Sequence, residues 1–314
     1  TNIVPYSEDF SNAVWAKSNS SITSNSVISP DGTLNADKLV VSTSSGYLGG
    51  TFISSGNTDV TVSFFVKSDT LSSFTFAESF YFGTITNFDL SNGTTDNGKI
   101  ENYGNGWYRC SKTYTYASGQ QIVAIQIKTG ITGSLYIFGG QYEEGSFISS
   151  YIKTTTSAVT RAAETANGAG DASTFNDSEG VLMAEISALS NDGTYRQISI
   201  SGASGNSIRI LYSNTDNSIE GLFQSNGQIR SFLKYTVGDI KLNHKVAVRY
   251  NSSDFSLFID GIKVLNENPL DTPVGLNTLN FNDNGVSDFY GSTKQIQYFD
   301  SALNDSNLEK ITSW

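Results

Sequence analysis

Short runs of β-branched and aromatic residues, cut apart at close intervals by Gly- and Asn-containing turns, recur along this entire chain. That pattern constrains the fold more than any other feature. Val60-Thr61-Val62-Ser63-Phe64-Phe65-Val66-Lys67 is a near-continuous apolar strand of the kind that is buried on both faces. Trp107-Tyr108-Arg109-Cys110-Ser111-Lys112-Thr113-Tyr114-Thr115-Tyr116 alternates apolar and polar positions, as do residues 74–82 in part and 121–128. Ser134-Leu135-Tyr136-Ile137-Phe138 ends this first series. Between the runs stand Ser91-Asn92-Gly93, Asp96-Asn97-Gly98, Gly104-Asn105-Gly106 and Ser118-Gly119, all turn formers. Strands at this spacing predict an all-β chain built as a sandwich or jelly roll.

The series then repeats. Residues 153–174 run from a Thr-rich stretch into Ala- and Gly-rich sequence and read as a connector. After them, residues 180–186, 195–200, 207–212, 218–223, 229–235, 245–250 and 255–259 again carry strand patterns. Asp260-Gly261 between two apolar runs predicts a tight hairpin. Residues 303–311 hold a capping residue and i, i+4 spacing, which predicts one short helix. The expected organisation is two tandem β-sandwich (jelly-roll) domains, 1–152 and 175–314, joined by a linker at 153–174. A length of 314 residues accommodates both, and 38% hydrophobic residues suffice for two cores.

Charge and residue counts exclude several functions. Nineteen Lys and Arg against a net charge of −11 leave no basic patch to displace counterions, so nucleic acid is not an expected partner. The single cysteine, Cys110, forms no intrachain disulfide, and one Cys with one His (His244) cannot fill a zinc site. No apolar run approaches the ~20 residues of a membrane helix, so no membrane insertion is expected. Thr1-Asn2-Ile3-Val4-Pro5-Tyr6 has neither the basic region nor the apolar core of a signal peptide.

Three groups of motifs carry resemblances. Tyr6-Ser7-Glu8-Asp9-Phe10-Ser11-Asn12-Ala13-Val14-Trp15, Ser29-Pro30-Asp31-Gly32-Thr33 and Ala36-Asp37-Lys38-Leu39 open the first series. Asn105-Gly106-Trp107-Tyr108-Arg109-Cys110-Ser111, Gly139-Gly140-Gln141-Tyr142-Glu143-Glu144-Gly145-Ser146 and Ser149-Ser150-Tyr151-Ile152-Lys153-Thr154 follow in order. With Val159-Thr160-Arg161-Ala162-Ala163 they resemble a domain common in phage tail and head-fibre proteins. That resemblance implies a jelly roll similar to carbohydrate-binding modules. The second series is similar to concanavalin-A-like (laminin-G-like) lectin domains. Its carriers are Phe175-Asn176-Asp177-Ser178-Glu179-Gly180, Ser256-Leu257-Phe258-Ile259-Asp260-Gly261 and the stretch 291–305.

Together these resemblances imply a non-catalytic virion protein: a tail or head fibre, or a capsid decoration. It would bind host cell-surface polysaccharide and assemble with other virion proteins. A homotrimer is expected by analogy with fibre tips, although no coiled-coil heptad is present to force one. Two alternatives stand beside this reading: a purely structural spacer, and a polysaccharide hydrolase or lyase built on the second sandwich.

Catalysis is not expected. Glucanases with the concanavalin-A-like fold place carboxylates at alternate positions of one strand, and Val181-Leu182-Met183-Ala184-Glu185-Ile186 offers one Glu. Glu143 and Glu144 are adjacent, so their side chains diverge on an extended strand. His244 reads as a surface residue on a turn. For glycan contact, aromatic faces stack on pyranose rings while amides, carboxylates and guanidinium groups bond hydroxyls. Trp15 and Trp107 read as core residues, and Cys110, out of phase with Trp107, as a small buried hydrophobe. The glycan candidates lie where aromatics meet polar loops: Tyr81 and Asn87, then Tyr195, Arg196, Tyr212 and Arg230. A half-exposed sheet position explains each of them as well. No cofactor is required. Asp283, Asn284 and Asp288 offer oxygens to a structural Ca²⁺ or simply solvate a turn. Jelly-roll sugar-binding modules often hold calcium through an Asp near the last strand. Here Ile137-Phe138-Gly139-Gly140-Gln141 lacks it. Arg161 is expected to dock on a sheet edge or an inter-domain carboxylate.

Overall fold

The computed structural model describes residues 1–53, 59–78, 85–116, 122–162, 166, 168–282 and 285–314. Two compact units divide the chain, Thr1–Ala162 and Ala163–Trp314. Both are all-β sandwiches made of antiparallel sheets.

The first unit packs two six-stranded sheets face to face. The front sheet runs Ala16–Ser18, Tyr47–Ile53, Ile122–Lys128, Ser73–Glu78, Ile85–Asp89 and Thr94–Thr95 from edge to edge. The back sheet runs Ser20–Ile28, Leu34–Val41, Gly133–Glu144, Asp59–Ser68, Trp107–Thr115 and Lys99–Gly104. Alternation along Asp59–Ser68 turns Val60, Val62, Phe64 and Val66 inward, where they meet Leu48, Ile125, Ile127, Phe74, Phe76 and Phe88 of the front sheet. Trp15 closes one end of this core. Its ring lies 4.9 Å from Phe10 and 5.7 Å from Phe64, and its Nε1–H donates to the Tyr6 carbonyl at 3.0 Å. Cys110 is fully buried in the same core, and burial pushes its thiol up. Both tryptophans expected to be structural, Trp15 and Trp107, are buried.

The outer face of the back sheet is covered by the chain itself. Phe65, Trp107, Phe138 and Ala36 form a second apolar cluster there, with the Tyr151 ring 5.9 Å from Phe65 and 5.5 Å from Phe138. A bulge makes this possible. Gly139 takes φ +61°, and a Cβ on Gly140 would sit 2.9 Å from the Phe64 ring. The register shift between Phe138 and Gln141 puts both on the outer face. Gln141 Oε1 then accepts the Ile152 N–H at 2.6 Å, Glu143 accepts the Ser149 N–H at 2.9 Å, and Arg109 donates to the Ser149 carbonyl at 2.8 Å. These motif residues therefore strap the segment after Glu144 onto the sheet.

The strap continues into the stretch read as a connector. Thr154 N–H donates to Ser7 Oγ at 2.8 Å, and Asn2 and Val159 exchange backbone bonds of 2.9 and 3.0 Å. Arg161 donates to the Ser150 hydroxyl. Residues 153–162 thus belong to the first unit. They bond through side chains and an isolated bridge, and that kind of pairing leaves no alternation in the sequence.

The turn Ser29–Thr33 also bonds heavily. Asp31 accepts from the Ser29 and Thr33 hydroxyls and the Thr33 N–H, all at 2.7 Å. Burial raises the Asp31 carboxyl, but these bonds and one from Asn35 outweigh it and hold the group at about 2. A carboxyl depressed on folding stabilises above its unfolded value and stops doing so as pH falls through its folded value. The first unit is expected to lose stability from about pH 3.8 down through about 2. Urea unfolding followed by tryptophan fluorescence checks this, and Asp31→Asn should flatten the profile in that window.

In the second unit one sheet runs Ile262–Glu267, Asp254–Ile259, His244–Asn251, Glu179–Ala188 and Gly291–Phe299. Its partner runs Gln228–Thr236, Ser218–Ser225, Asn206–Tyr212, Arg196–Gly202 and Leu276–Asn280. Leu182, Ile186, Val248 and Leu257 face Ile198, Ile200, Ile210 and Ile219 across the core. Asp260 and Gly261 both take positive φ, +49° and +83°, as a two-residue hairpin turn requires. The helix spans Asp305–Thr312, with Asn304 Oδ1 accepting the Asn307 N–H at 2.9 Å as its cap. Leu308 seats it on Val181, Met183, Ala247 and Phe258 of the first of these sheets.

Candidate functional site

Register assembles a row of side chains across the outer face of the front sheet, half-buried at Tyr47, Lys128 and Thr75 and exposed at Asn87. Tyr47 pairs with Lys128, Lys128 with Thr75, and Thr75 with Asn87. Their chain neighbours Leu48, Ile127, Phe74, Phe76 and Phe88 point into the core, so these four point out. The row crosses three strand spacings, about 14 Å. The next row is Gly49, Gln126, Ala77 and Ile85. Gly49 lets the Gln126 side chain pack close against the backbone, since a Cβ there would lie 3.1 Å from Gln126 Cγ. The Lys128 ammonium sits 6.0 Å from the centre of the Tyr47 ring.

At the Asn87 end the face dips into a cleft of about 410 Å³. Ser73, Thr75, Asn87, Asp89, Thr94 and Asp96 supply most of its polar lining. Asn87 is fixed rather than free to flip. Its Nδ2 donates to Asp96 Oδ2 at 2.5 Å, its N–H donates to Asp96 Oδ1 at 2.9 Å, and its carbonyl accepts the Thr95 hydroxyl at 2.7 Å. A carboxamide carries two donors and a two-lone-pair acceptor, so Oδ1 and one N–H remain for a ligand. Asp89 accepts from the Ser91 hydroxyl and N–H, at 2.5 and 2.8 Å, and from Asn92 at 2.8 Å. The Ser91 hydroxyl above all holds the Asp89 carboxyl below the usual carboxylate range, and the Asn87 amide does the same for Asp96. Hydroxyls, an oriented amide and two carboxylates can satisfy a hydroxyl-rich ligand. Neither carboxyl is poised as a general acid, which needs a raised value.

The sequence candidates scatter. Asn87 lies in the cleft, while Tyr81 falls outside the described residues. Tyr195 is exposed in the second unit. Arg196 and Tyr212 are not on a surface: 2% and 1% of each is accessible, and they pair across Arg196–Gly202 and Asn206–Tyr212. Arg196 stands in phase with Ile198 and Ile200, so alternation turns it inward. Its guanidinium donates to Asp192 at 2.5 Å and to the Ser190 carbonyl at 3.0 Å. Arg230 sits on an edge strand, ion-paired with Asp271 at 3.0 Å. Asp288 accepts from Asn282 at 3.0 Å, and Asp283 and Asn284 fall outside the described residues. Among the described residues no three His, Cys, Asp or Glu side chains cluster as metal ligands. His244, expected on the surface, is buried: it opens the His244–Asn251 strand, where Nδ1 lies 2.6 Å from Asp260 and Nε2 lies 3.0 Å from the Asp239 carbonyl. Tyr47, Gln126 and Lys128 were not legible as site residues. The one local signal was Tyr47 flanking Leu48 in alternation, and Gly49-Gly50 interrupt it.

No protein-family model matches this chain, and no curated protein does either. Solved structures show distant likenesses. The carbohydrate-binding module (CBM40) of the Ruminococcus gnavus IT-sialidase, bound to α2,3-sialyllactose, is 15% identical with a TM-score of 0.38, over 44% of this chain and 84% of that one. The binding domain of botulinum neurotoxin serotype D is 14% identical with a TM-score of 0.36, over 44% of this chain and 36% of that one. A heptameric SAP-like pentraxin from Limulus polyphemus is 10% identical with a TM-score of 0.36, over 43% and 70%. With TM-scores below 0.5, these likenesses decide nothing about ligand or activity.

Proposed function

We propose that this chain is a non-catalytic glycan-binding module, with the ligand laid along the front sheet from Tyr47 to the Asn87 cleft. The observation that carries the reading is the exposed Asn87 amide, locked by Asp96 at the mouth of a hydroxyl-lined cleft on the outer face of the sheet. Tyr47 supplies a ring for stacking, and Lys128 and Gln126 supply donors between. The non-catalytic part of the proposal is supported by the two cleft carboxyls, both of which their hydrogen-bond donors favour in the ionised form. The setting we propose is a phage virion surface, as a tail or head fibre or a capsid decoration that adheres to host polysaccharide. Its support is the order of motifs in the first unit.

Affinity electrophoresis in host polysaccharide tests binding. Asn87→Ala is expected to weaken retardation roughly ten- to hundredfold, because hydrogen bonds to the ligand vanish and leave its groups unpaired. Tyr47→Ala should cost about tenfold, and Tyr195→Ala should cost nothing. If no polysaccharide retards the wild-type chain, the binding reading is lost and the spacer reading replaces it. Release of reducing ends or unsaturated sugars would overturn the non-catalytic assignment. Light scattering decides whether the chain forms the trimer expected of a fibre tip.

A further inference from the structure

We propose that the Asn87 cleft selects uncharged sugars and excludes those bearing carboxylates, such as sialic and uronic acids. This rests on the glycan-binding reading above and adds the class of sugar. Among the described residues lining the cleft, Asp89 and Asp96 are the only charged ones, and no Lys or Arg joins them. Lys128 is the nearest cation in the row, one strand away. Tyr47 flanks it on the side opposite Thr75, and its ammonium lies over the Tyr47 ring at 6.0 Å. The Lys128 charge is therefore held on the Tyr47 side of the row, and Lys112, outside the cleft lining, is the other cation that feels the Asp96 charge.

The two carboxylates suit hydroxyl donors. Each Asp96 oxygen takes one bond from Asn87 and keeps lone pairs for another donor. A sugar hydroxyl bonding to a carboxylate makes a charge-assisted bond, stronger than a neutral one. A sugar carboxylate has no proton to give and brings a third negative charge to two fixed ones. Protonation offers no escape, because Ser91 and Asn87 keep Asp89 and Asp96 ionised wherever an ordinary carboxylate is ionised. The net charge of −11 adds a repulsive field at longer range. Repulsion between exposed charges is screened by salt, so the exclusion has a built-in signature.

The test is a glycan array printed with matched pairs, lactose beside 3′-sialyllactose and a neutral glucan beside its carboxymethyl derivative. The full chain is applied at about 0.01 M and about 1 M salt, where screening lengths are roughly 30 and 3 Å. The neutral member of a bound pair should bind alike at both. The charged member should bind at least about tenfold more weakly at low salt and recover most of that factor at high salt. Asp89→Asn, which keeps an acceptor oxygen for Ser91, should narrow the low-salt ratio to about threefold. Should that variant not fold, the salt comparison decides alone. A charged member that binds as well as its neutral partner at low salt overturns the selectivity and leaves glycan binding intact. Failure of every glycan, with no polysaccharide retarding the chain, removes glycan binding and the selectivity with it.

Discussion

Replacing Asn2 with alanine is expected to lower the unfolding free energy of the first unit by about 3–5 kcal/mol. The side chain is fully buried and bonds at both ends. Nδ2 donates to the Gly140 carbonyl at 3.1 Å and the Ile152 carbonyl at 2.8 Å, while Oδ1 accepts the Val4 N–H at 3.3 Å and the Tyr142 N–H at 3.1 Å. One amide thus joins the N-terminal segment, the last back-sheet strand and the strap that follows it. Each such bond contributes about 1 kcal/mol net, and leaving buried backbone groups unpaired costs more than the bond was worth. Asn2→Asp should cost more still, because two carbonyls would then face a carboxylate oxygen. Trp15 and Trp107 are buried in this unit, while Trp314 in the other unit is 68% accessible, so the fluorescence change on unfolding reports on the first unit. A midpoint in urea that moves by less than the equivalent of about 1 kcal/mol would refute this account of Asn2.

Much of the fold was legible because strand chemistry is local. Val60 to Lys67, Trp107 to Thr115, the Asp260-Gly261 hairpin and the final helix each carry their own signal within a few residues. The features that escaped depend on partners distant in sequence. Gly139 and Gly140 look like turn glycines but form a bulge that sends Phe138 and Gln141 to one face. Residues 153–162 look like a linker because their bonds run to Asn2 and Ser7 rather than along a ladder. The site divides in the same way. Asn87 was found from its polar neighbourhood, yet Tyr47 and Lys128 join it only through the pairing of Ile122–Lys128 with strands on both sides. Arg196 misled in the opposite direction. A charged residue at an inward position breaks the rule that charges face water, and Asp192 with Ser190 makes the exception affordable.

Tyr212 gives the sharpest contrast between a ligand-binding and a core role. As a core residue, Tyr212→Ala is expected to destabilise the second unit by about 3–5 kcal/mol, while Tyr212→Phe should be neutral or stabilising by up to ~1 kcal/mol. The ring is 1% accessible, packs with Ile198, Ile200 and Ile210, and stacks on Phe289 with centroids 5.9 Å apart at 26°. Truncation removes all of that burial and leaves a cavity. The hydroxyl differs from the ring: it is buried and has no hydrogen-bond partner among the described residues. Burial pushes this phenol up, with only the Arg196 charge opposing. Removing the hydroxyl therefore deletes an uncompensated polar group at no packing loss. Calorimetry separates the outcomes, because a loss of this size lowers the melting temperature of the second unit by roughly 10 °C. A sugar-stacking Tyr212 would behave the other way, with Tyr212→Ala folding normally and losing only glycan retardation. That result would require the ring to reach solvent, and with it a different packing of Phe289 and Arg196.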